Sequence, residues 1–418
     1  MKSLVKQQDY SPQGFNVIVK PAGPVCNLNC RYCFYTEKEA LFDPNHKCRM
    51  NDEVLETFIE KYIKSQPLSE VLFVWQGGEP TLMGLDFYRK AVRLQNKYAG
   101  GKRIINSLQT NGTMLDDSWC EFMARNNFLV GLSLDGPEDI HNYHRLDRSG
   151  KPTFQAVMRG LELMKKHGVE FNILACVTKQ NSKRALDVYN FFKKQGIQFI
   201  QFIPIVERQP CAAAEKTGLR LAEPPSLHRE KEKSEITEWS VGPSAYGDFL
   251  IKIFSKWVRS DVGSVFIMNF EWALSSWVSG TSCACTFSEN CGRCLAMEHN
   301  GDVYSCDHYV YPDYYLGNIL NTNLQEMLES EKQIRFREIK QAALPAKCRR
   351  CDVLFACNGG CPKHRFAESR NGQPNLNYLC ESYKRFFKHI APYMKTMKQL
   401  IKQGKPASDI MDSNTVLG

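Results

Sequence analysis

"CNLNCRYCFY", residues 26–35, places Cys26, Cys30 and Cys33 within eight residues. Two thiols suffice for a disulfide, and four make a closed zinc site. Three leave a coordination position to be filled from elsewhere. Immediately upstream, "FNVIV" (15–19) is an apolar run that reads as a buried strand. Downstream, "VLFVW" (71–75), "IINSLQ" (104–109), "FLVGLSL" (128–134), "FNILACV" (171–177) and "FIQFIPI" (199–205) read the same way. Residues 51–65, 86–98, 116–125, 154–168 and 183–195 read as helices between them. Asn51 is placed to cap the first helix, with Met50 and Leu55 as a hydrophobic staple.

Strands alternating with helices imply parallel βα units and an α/β fold. A curved, partly closed TIM-like (β/α)6 barrel is the expected arrangement, and an open doubly wound sheet is the alternative. In both, ligands sit at the carboxyl ends of the strands. The cysteine stretch follows the first strand and "QGGEP" (76–80) the second. "QTNG" (109–112) and "SLDGP" (133–137) end the third and fourth, so all four motifs fall on one face.

Past residue 206 the pattern breaks. Residues 207–243 are polar, charged and proline-containing, and read as a surface loop or lid. Residues 244–280 read as a helical connector and 281–385 as a smaller cysteine-rich domain. A C-terminal amphipathic helix and tail are expected within 386–418, the helical pattern itself beginning near 381. Asn-Gly at 300–301, between alternating flanks, signals a hairpin.

The 418-residue chain is 43% hydrophobic and 24% charged, an ordinary globular composition. It has no apolar run long enough to span a membrane. Its first residues, "MKSLVKQQDYSPQG", lack the apolar core of a secretory signal, so a cytoplasmic location is expected. The net charge of +9 suits solubility, and no basic run with interleaved aromatics suggests nucleic acid. Seventeen cysteines are too many for packing alone in a reducing compartment, which points to metal or redox work. Three lie at 26–33, five at 283–306 and five at 348–380, while Cys48, Cys120, Cys176 and Cys211 stand alone.

Cys26-x3-Cys30-x2-Cys33 can ligate three irons of a [4Fe-4S] cluster and leave the fourth iron open to a small molecule. Followed by Phe34 and Tyr35, and with "GGEP" downstream, the triplet resembles the radical S-adenosylmethionine (SAM) superfamily. That resemblance implies that SAM chelates the open iron and that its reductive cleavage yields a 5′-deoxyadenosyl radical able to abstract a hydrogen atom. It also implies SAM contacts from Tyr32, Gly78, Ser133 and Arg145, with Val206 near the adenosine. Gly77 and Gly78 would let the backbone approach the methionyl end closely. A structural zinc site is the competing reading of the triplet, a surface ion pair that of Arg145, and a strand-end hydrogen bond that of Ser133.

The second half supplies Cys285-x5-Cys291-x14-Cys306 and Cys348-x2-Cys351-x5-Cys357-x3-Cys361-x18-Cys380, eight thiols in all. With "CDHY" (306–309) and "LGNI" (316–319), this resembles the SPASM auxiliary-cluster domain. The family topology implies one cluster on Cys285, Cys291, Cys306 and Cys361, and another on Cys348, Cys351, Cys357 and Cys380. Cys283 and Cys294 stand beside the first set as alternative donors, and paired zinc ribbons are the competing reading.

"QGGEPT", "NSLQTNGT", "FLVGLSLDGP", "QFIP", "NGDVYSCDHYV", "LGNI" and "LNYLC" together resemble the anaerobic sulfatase-maturating enzymes, from about residue 14 to 400. The resemblance implies a radical SAM barrel over 1–206, a SPASM domain over 281–385, three [4Fe-4S] clusters and SAM. The implied reaction oxidises a cysteine or serine of a sulfatase polypeptide to Cα-formylglycine. Reduced flavodoxin or ferredoxin is the implied electron donor. Asp307 matches the catalytic base, with His308 as an alternative; a purely structural Asp307 is the competing reading. A maturase of another peptide, forming thioether or carbon–carbon links, would share both halves. A non-catalytic iron–sulfur or zinc protein would need no SAM.

Overall fold

The computed structural model describes residues 14–43, 48–210, 212–225 and 235–412. Cys211, part of the polar loop (226–234) and the end of the tail (413–418) lie outside the described residues.

Six parallel strands form first: β1 (Asn16–Lys20), β2 (Glu70–Trp75), β3 (Arg103–Thr110), β4 (Phe128–Ser133), β5 (Glu170–Val177) and β6 (Phe199–Pro204). Helices α1 (Asp52–Ser65), α2 (Leu85–Tyr98), α3 (Asp117–Arg125), α4 (Glu138–His144), α5 (Phe154–His167) and α6 (Ala185–Lys194) connect them. The strands lie side by side in sequence order. A doubly wound sheet needs that order to reverse at a switch point. Sequential order with same-handed crossovers instead puts every helix on one face, which is barrel winding.

The first helix shows how local chemistry sets these elements. Asn51 Oδ1 accepts the Val54 N–H at 2.8 Å, and Met50 and Leu55 are both buried. The inward face carries Val54, Leu55, Phe58, Ile59, Tyr62 and Ile63. Phe58 stacks on Tyr62 at 5.2 Å and meets Phe73 of β2 edge-on at 5.7 Å. Phe58→Ala would cost about 3–5 kcal/mol through lost burial and the cavity left behind.

After the short helix α7 (Ala212–Lys216), the connector forms α8 (Ala245–Ser260), the two-residue strand β7 (Phe266–Ile267) beside β6, and α9 (Met268–Ser279). The expected hairpin is β8 (Cys294–Glu298) and β9 (Asp302–Tyr304), with β10 (Tyr315–Asn318) antiparallel to β9. Gly301 turns it at φ +89°, its N–H reaching the Glu298 carbonyl at 3.0 Å. Helices α10 (Leu324–Glu329), α11 (Glu331–Ala342), α12 (Ala346–Arg349, with Cys348) and α13 (Leu354–Cys357, ending at Cys357) lead to the long C-terminal helix α14 (Cys380–Lys402), which packs on α8 and α9.

One feature of the sheet has no local sequence signal. β8 pairs parallel with β1 along its whole length, Asn16 opposite Cys294 through Lys20 opposite Glu298. The two halves therefore share one ten-stranded sheet, ordered β10-β9-β8-β1-β2-β3-β4-β5-β6-β7.

Candidate active site

The cysteine loop leaves β1 and is tied to its neighbours by their strand-end motifs. Asn111 Nδ2 donates to Asn27 Oδ1 at 2.8 Å and approaches Cys26 Sγ at 3.8 Å. Arg148 Nε donates to the Cys26 carbonyl at 2.7 Å, and the Asn29 N–H to the Leu146 carbonyl at 2.8 Å. Gly78 N–H reaches the Gly23 carbonyl at 2.8 Å, and Glu79 N–H the Val25 carbonyl at 2.9 Å. A Cβ on Gly78 would lie 2.0 Å from the Val25 carbonyl oxygen. The glycine is thus required for the close approach of the cysteine loop itself, a reason the motif alone did not suggest. Glu79 is fully buried; burial raises its pKa although Thr81, Thr110 and the Asn111 N–H all donate to its carboxylate.

The loop brings its three thiols together. Burial pushes Cys26 up to about 12, with the Glu79 carboxylate and the Cys33 thiol adding to it. Cys30 is raised by burial and by Cys33 and Cys26, against the pull of Arg145. Thiols kept protonated by burial become ligands once a metal supplies the compensating charge. The set therefore fits an iron–sulfur cluster held by thiolates.

Tyr32 and Arg145 meet on Asp135, the aspartate of "SLDGP". Arg145 grips it through Nε at 3.0 Å and Nη2 at 3.2 Å, the Tyr32 hydroxyl donates to it, and the Cys176 N–H donates at 2.9 Å. Burial alone would raise the Asp135 carboxyl, but Arg145, then His141, hold it below its ordinary value. Arg145 is 7% exposed, which excludes the surface ion pair. Ser133 is buried at the end of β4, and Val206 is buried just beyond β6. Val206 lines a small cavity with Phe34, Glu37, His308 and Lys363. Asp135 and Cys176 were not singled out from sequence. The Asp in "SLDGP" could have been, but its partner Arg145 lies ten residues away beyond α4, a helix too short to read from periodicity.

The auxiliary cysteines fall into two sets. Burial, then the thiols of Cys361, Cys285 and Cys291, raise Cys306 well above the usual thiol range. Burial and Cys361 push Cys291 up to about 12, with Cys285 adding to it. A second cavity is lined by Cys348, Cys351, Cys357 and Cys380. There burial pushes Cys357 up to about 12, with Cys380, Cys348 and Cys351 adding to it. Cys283 is exposed and contacts Ser275 Oγ at 3.1 Å. Cys294 is half-buried at the start of β8, where desolvation and then Cys285 and Asp307 push it up to about 12. Among the described residues no three His, Cys, Asp or Glu are close enough to hold one metal ion together. A four-iron cluster asks for less, one thiolate per iron.

Asp307 sits where the two halves join. Its carboxylate pairs with the Lys20 ammonium from the last residue of β1. Lys20 is 1% exposed and lies over the Tyr35 ring at 3.8 Å, while the Tyr35 hydroxyl donates to buried Glu298. Burial by itself would raise the Asp307 carboxyl; Lys20 foremost, then His308 and Lys38, hold it below the ordinary carboxylate range. His308 packs on Phe34 at 5.1 Å and is pushed down to about 3 by burial and by Lys363, so it is neutral at pH 7.

Comparison with known proteins places this arrangement. The profile of the radical SAM superfamily matches residues 21–192, and that of an iron-sulfur cluster-binding domain, SPASM, matches 285–352. The serine-type anaerobic sulfatase-maturating enzyme of Bacteroides thetaiotaomicron is 49% identical over 407 residues, covering 97% of each chain. The chain belongs to the anaerobic sulfatase-maturating enzymes. The cysteine-type enzyme of Clostridium perfringens is 36% identical over 93% of this chain and 99% of that one. The solved structure of native anSMEcpe with bound AdoMet and Cp18Cys peptide superposes with a TM-score of 0.79 at 35% identity, covering 92% of this chain and 99% of the other. This member of the family is thus a radical SAM oxidoreductase with [4Fe-4S] clusters and SAM as its cofactors.

Proposed function

We propose that this enzyme oxidises a serine or cysteine in a sulfatase polypeptide to Cα-formylglycine, through the residues described above. The observation that carries the reading is the junction itself. One sheet brings Lys20 at the end of β1, beside the triplet loop, against Asp307, beside Cys306.

In this reading Cys26, Cys30 and Cys33 hold the SAM-binding cluster. Cys285, Cys291, Cys306 and Cys361 hold a second, and Cys348, Cys351, Cys357 and Cys380 a third. Tyr32, Gly78, Ser133, Arg145 and Val206 form the SAM site. Bound there, clusters and SAM supply the one-electron chemistry that removes a hydrogen atom from the substrate's Cβ. The chain's own task is the proton. The oxygen or sulfur on that carbon becomes acidic once the hydrogen is lost; Asp307 accepts its proton, the remaining electron would pass to a cluster held by the auxiliary cysteines, and a cysteine substrate would then exchange its sulfur for the oxygen of water with release of sulfide. Lys20 keeps Asp307 ionised, ready to accept. Gly78, Glu79 and Asn111 hold the triplet loop in place, and Asp135 presents Arg145 and Tyr32.

Among the described residues no helix is long and apolar enough to cross a membrane. A cytoplasmic enzyme served by reduced flavodoxin or ferredoxin fits the chemistry. The test is anaerobic reconstitution with SAM, a reductant and matched serine- and cysteine-containing sulfatase peptides, read by mass spectrometry. Formylglycine on either peptide, with 5′-deoxyadenosine and about 12 irons per chain, is the expected result. SAM cleavage with neither peptide oxidised would redirect the function to another peptide. Zinc in place of iron would end it.

A further inference from the structure

The thiol set of Cys348, Cys351, Cys357 and Cys380 opens toward a surface that the reaction does not use. Cys380 lines both that thiol cavity and an adjoining surface groove of about 790 Å³. Lys347, Arg350, Arg370, Lys384 and Arg385 line the groove, with Glu381 as the acid among its lining residues. Lys347, Arg350, Arg370 and Arg385 are exposed. Arg385 is paired with Asp248 at 2.5 Å. Lys347, Arg350, Arg370 and Lys384 make no ion pair among the described residues, leaving four cations facing solvent. Lys347 and Lys384 are near enough to Cys380 to lower its thiol pKa against the effect of burial.

We propose that this groove is the docking surface for a small acidic one-electron carrier protein, held against the Cys348, Cys351, Cys357 and Cys380 thiols. The proposal rests on the reading of those thiols as cluster ligands. A redox partner must come close to the group it serves, and Cys380, at the start of α14, reaches the groove wall. Redox encounters bury small areas, below about 1,200 Å², so charge complementarity supplies much of their steering and specificity. Unpaired cations around a single acid match an acidic face. Lys347 and Lys384 also offset the thiolates, so the test uses Arg350 and Arg370.

The probe is reduced flavodoxin, titrated anaerobically against iron-loaded full-length enzyme. Wild type is expected to bind at about 50 mM salt and to weaken at least about tenfold by about 300 mM. Arg350→Glu with Arg370→Glu is expected to weaken binding at low salt by a similar factor. Iron content, visible spectrum and formylglycine formed with titanium(III) citrate as reductant should stay unchanged. Lys64→Glu, an exposed position on α1 away from the groove, should leave binding unchanged. Equal affinity of wild type and the double variant overturns the proposal, as do salt-independent binding and no binding by wild type. Wild-type protein holding zinc at this thiol set overturns both the proposal and the reading beneath it, and iron analysis separates that outcome from a failure to dock.

Discussion

Asp135 bears more contacts than any single motif predicted. It joins Arg145, Tyr32 and the Cys176 N–H in one buried carboxylate. Removing its charge leaves the Arg145 guanidinium buried without its counter-ion, an expensive arrangement. Asp135→Asn is expected to lower SAM affinity at least about tenfold while iron content stays whole; an anaerobic binding titration with unchanged affinity would refute this. Asp307→Asn tests a different function, because it keeps size and removes the acceptor. Peptide oxidation should fall roughly 10²-fold or more with SAM binding and all clusters retained, measured as formylglycine per 5′-deoxyadenosine. Glu37 gives a pH signature. Burial pushes it up to about 7 from an ordinary 4.5, although the Arg220 N–H donates to it at 2.8 Å. Its folded-state pKa is the higher one, so between those values the folded chain keeps a proton that the unfolded chain has lost. Its contribution to stability therefore falls as pH rises through that window. Glu37→Gln keeps an acceptor and removes the titration, so the variant should gain on wild type as pH rises from 4.5 to about 7 in anaerobic thermal unfolding. Parallel profiles would exclude it.

At the scale of elements, the loop after β2 acts as a clamp on the loop after β1. Gly78→Ala places a methyl group 2.0 Å from the Val25 carbonyl oxygen, a contact that only a backbone shift relieves. The expected outcome is selective: about a third of the iron lost, with SAM cleavage, while the auxiliary thiol sets stay loaded. Full iron content in Gly78→Ala would show that the loop tolerates the shift. The elements themselves were mostly legible. The six strands and five of the connecting helices follow from apolar runs and helical spacing, because each buries a continuous face. α4 was not, since seven residues carry too little periodicity. β7 and β10 were not, since two and four residues gain their strand character only from the partner they lie against.

For the whole molecule, the β1–β8 ladder means that the cysteine-rich half completes the barrel's sheet. Val17 and Val19 are fully buried, and β8 covers the hydrogen-bonding edge beside them. A chain ending at residue 280 would expose that edge, a template for pairing with other chains. It is expected to aggregate, and a soluble monomer on size-exclusion chromatography would contradict this. The sequence by itself determined the α/β class, the shared face of the four strand-end motifs and the cysteine spacings, since side-chain periodicity and donor spacing are local properties. Only the tertiary structure decided that the sheet winds in sequence order, that Lys20 reaches Asp307, that Arg145 and Tyr32 converge on Asp135, and that four unpaired cations line the groove beside Cys380. Each of those depends on residues far apart in the chain, and their contacts arise from how strands register and helices pack, which no local pattern encodes.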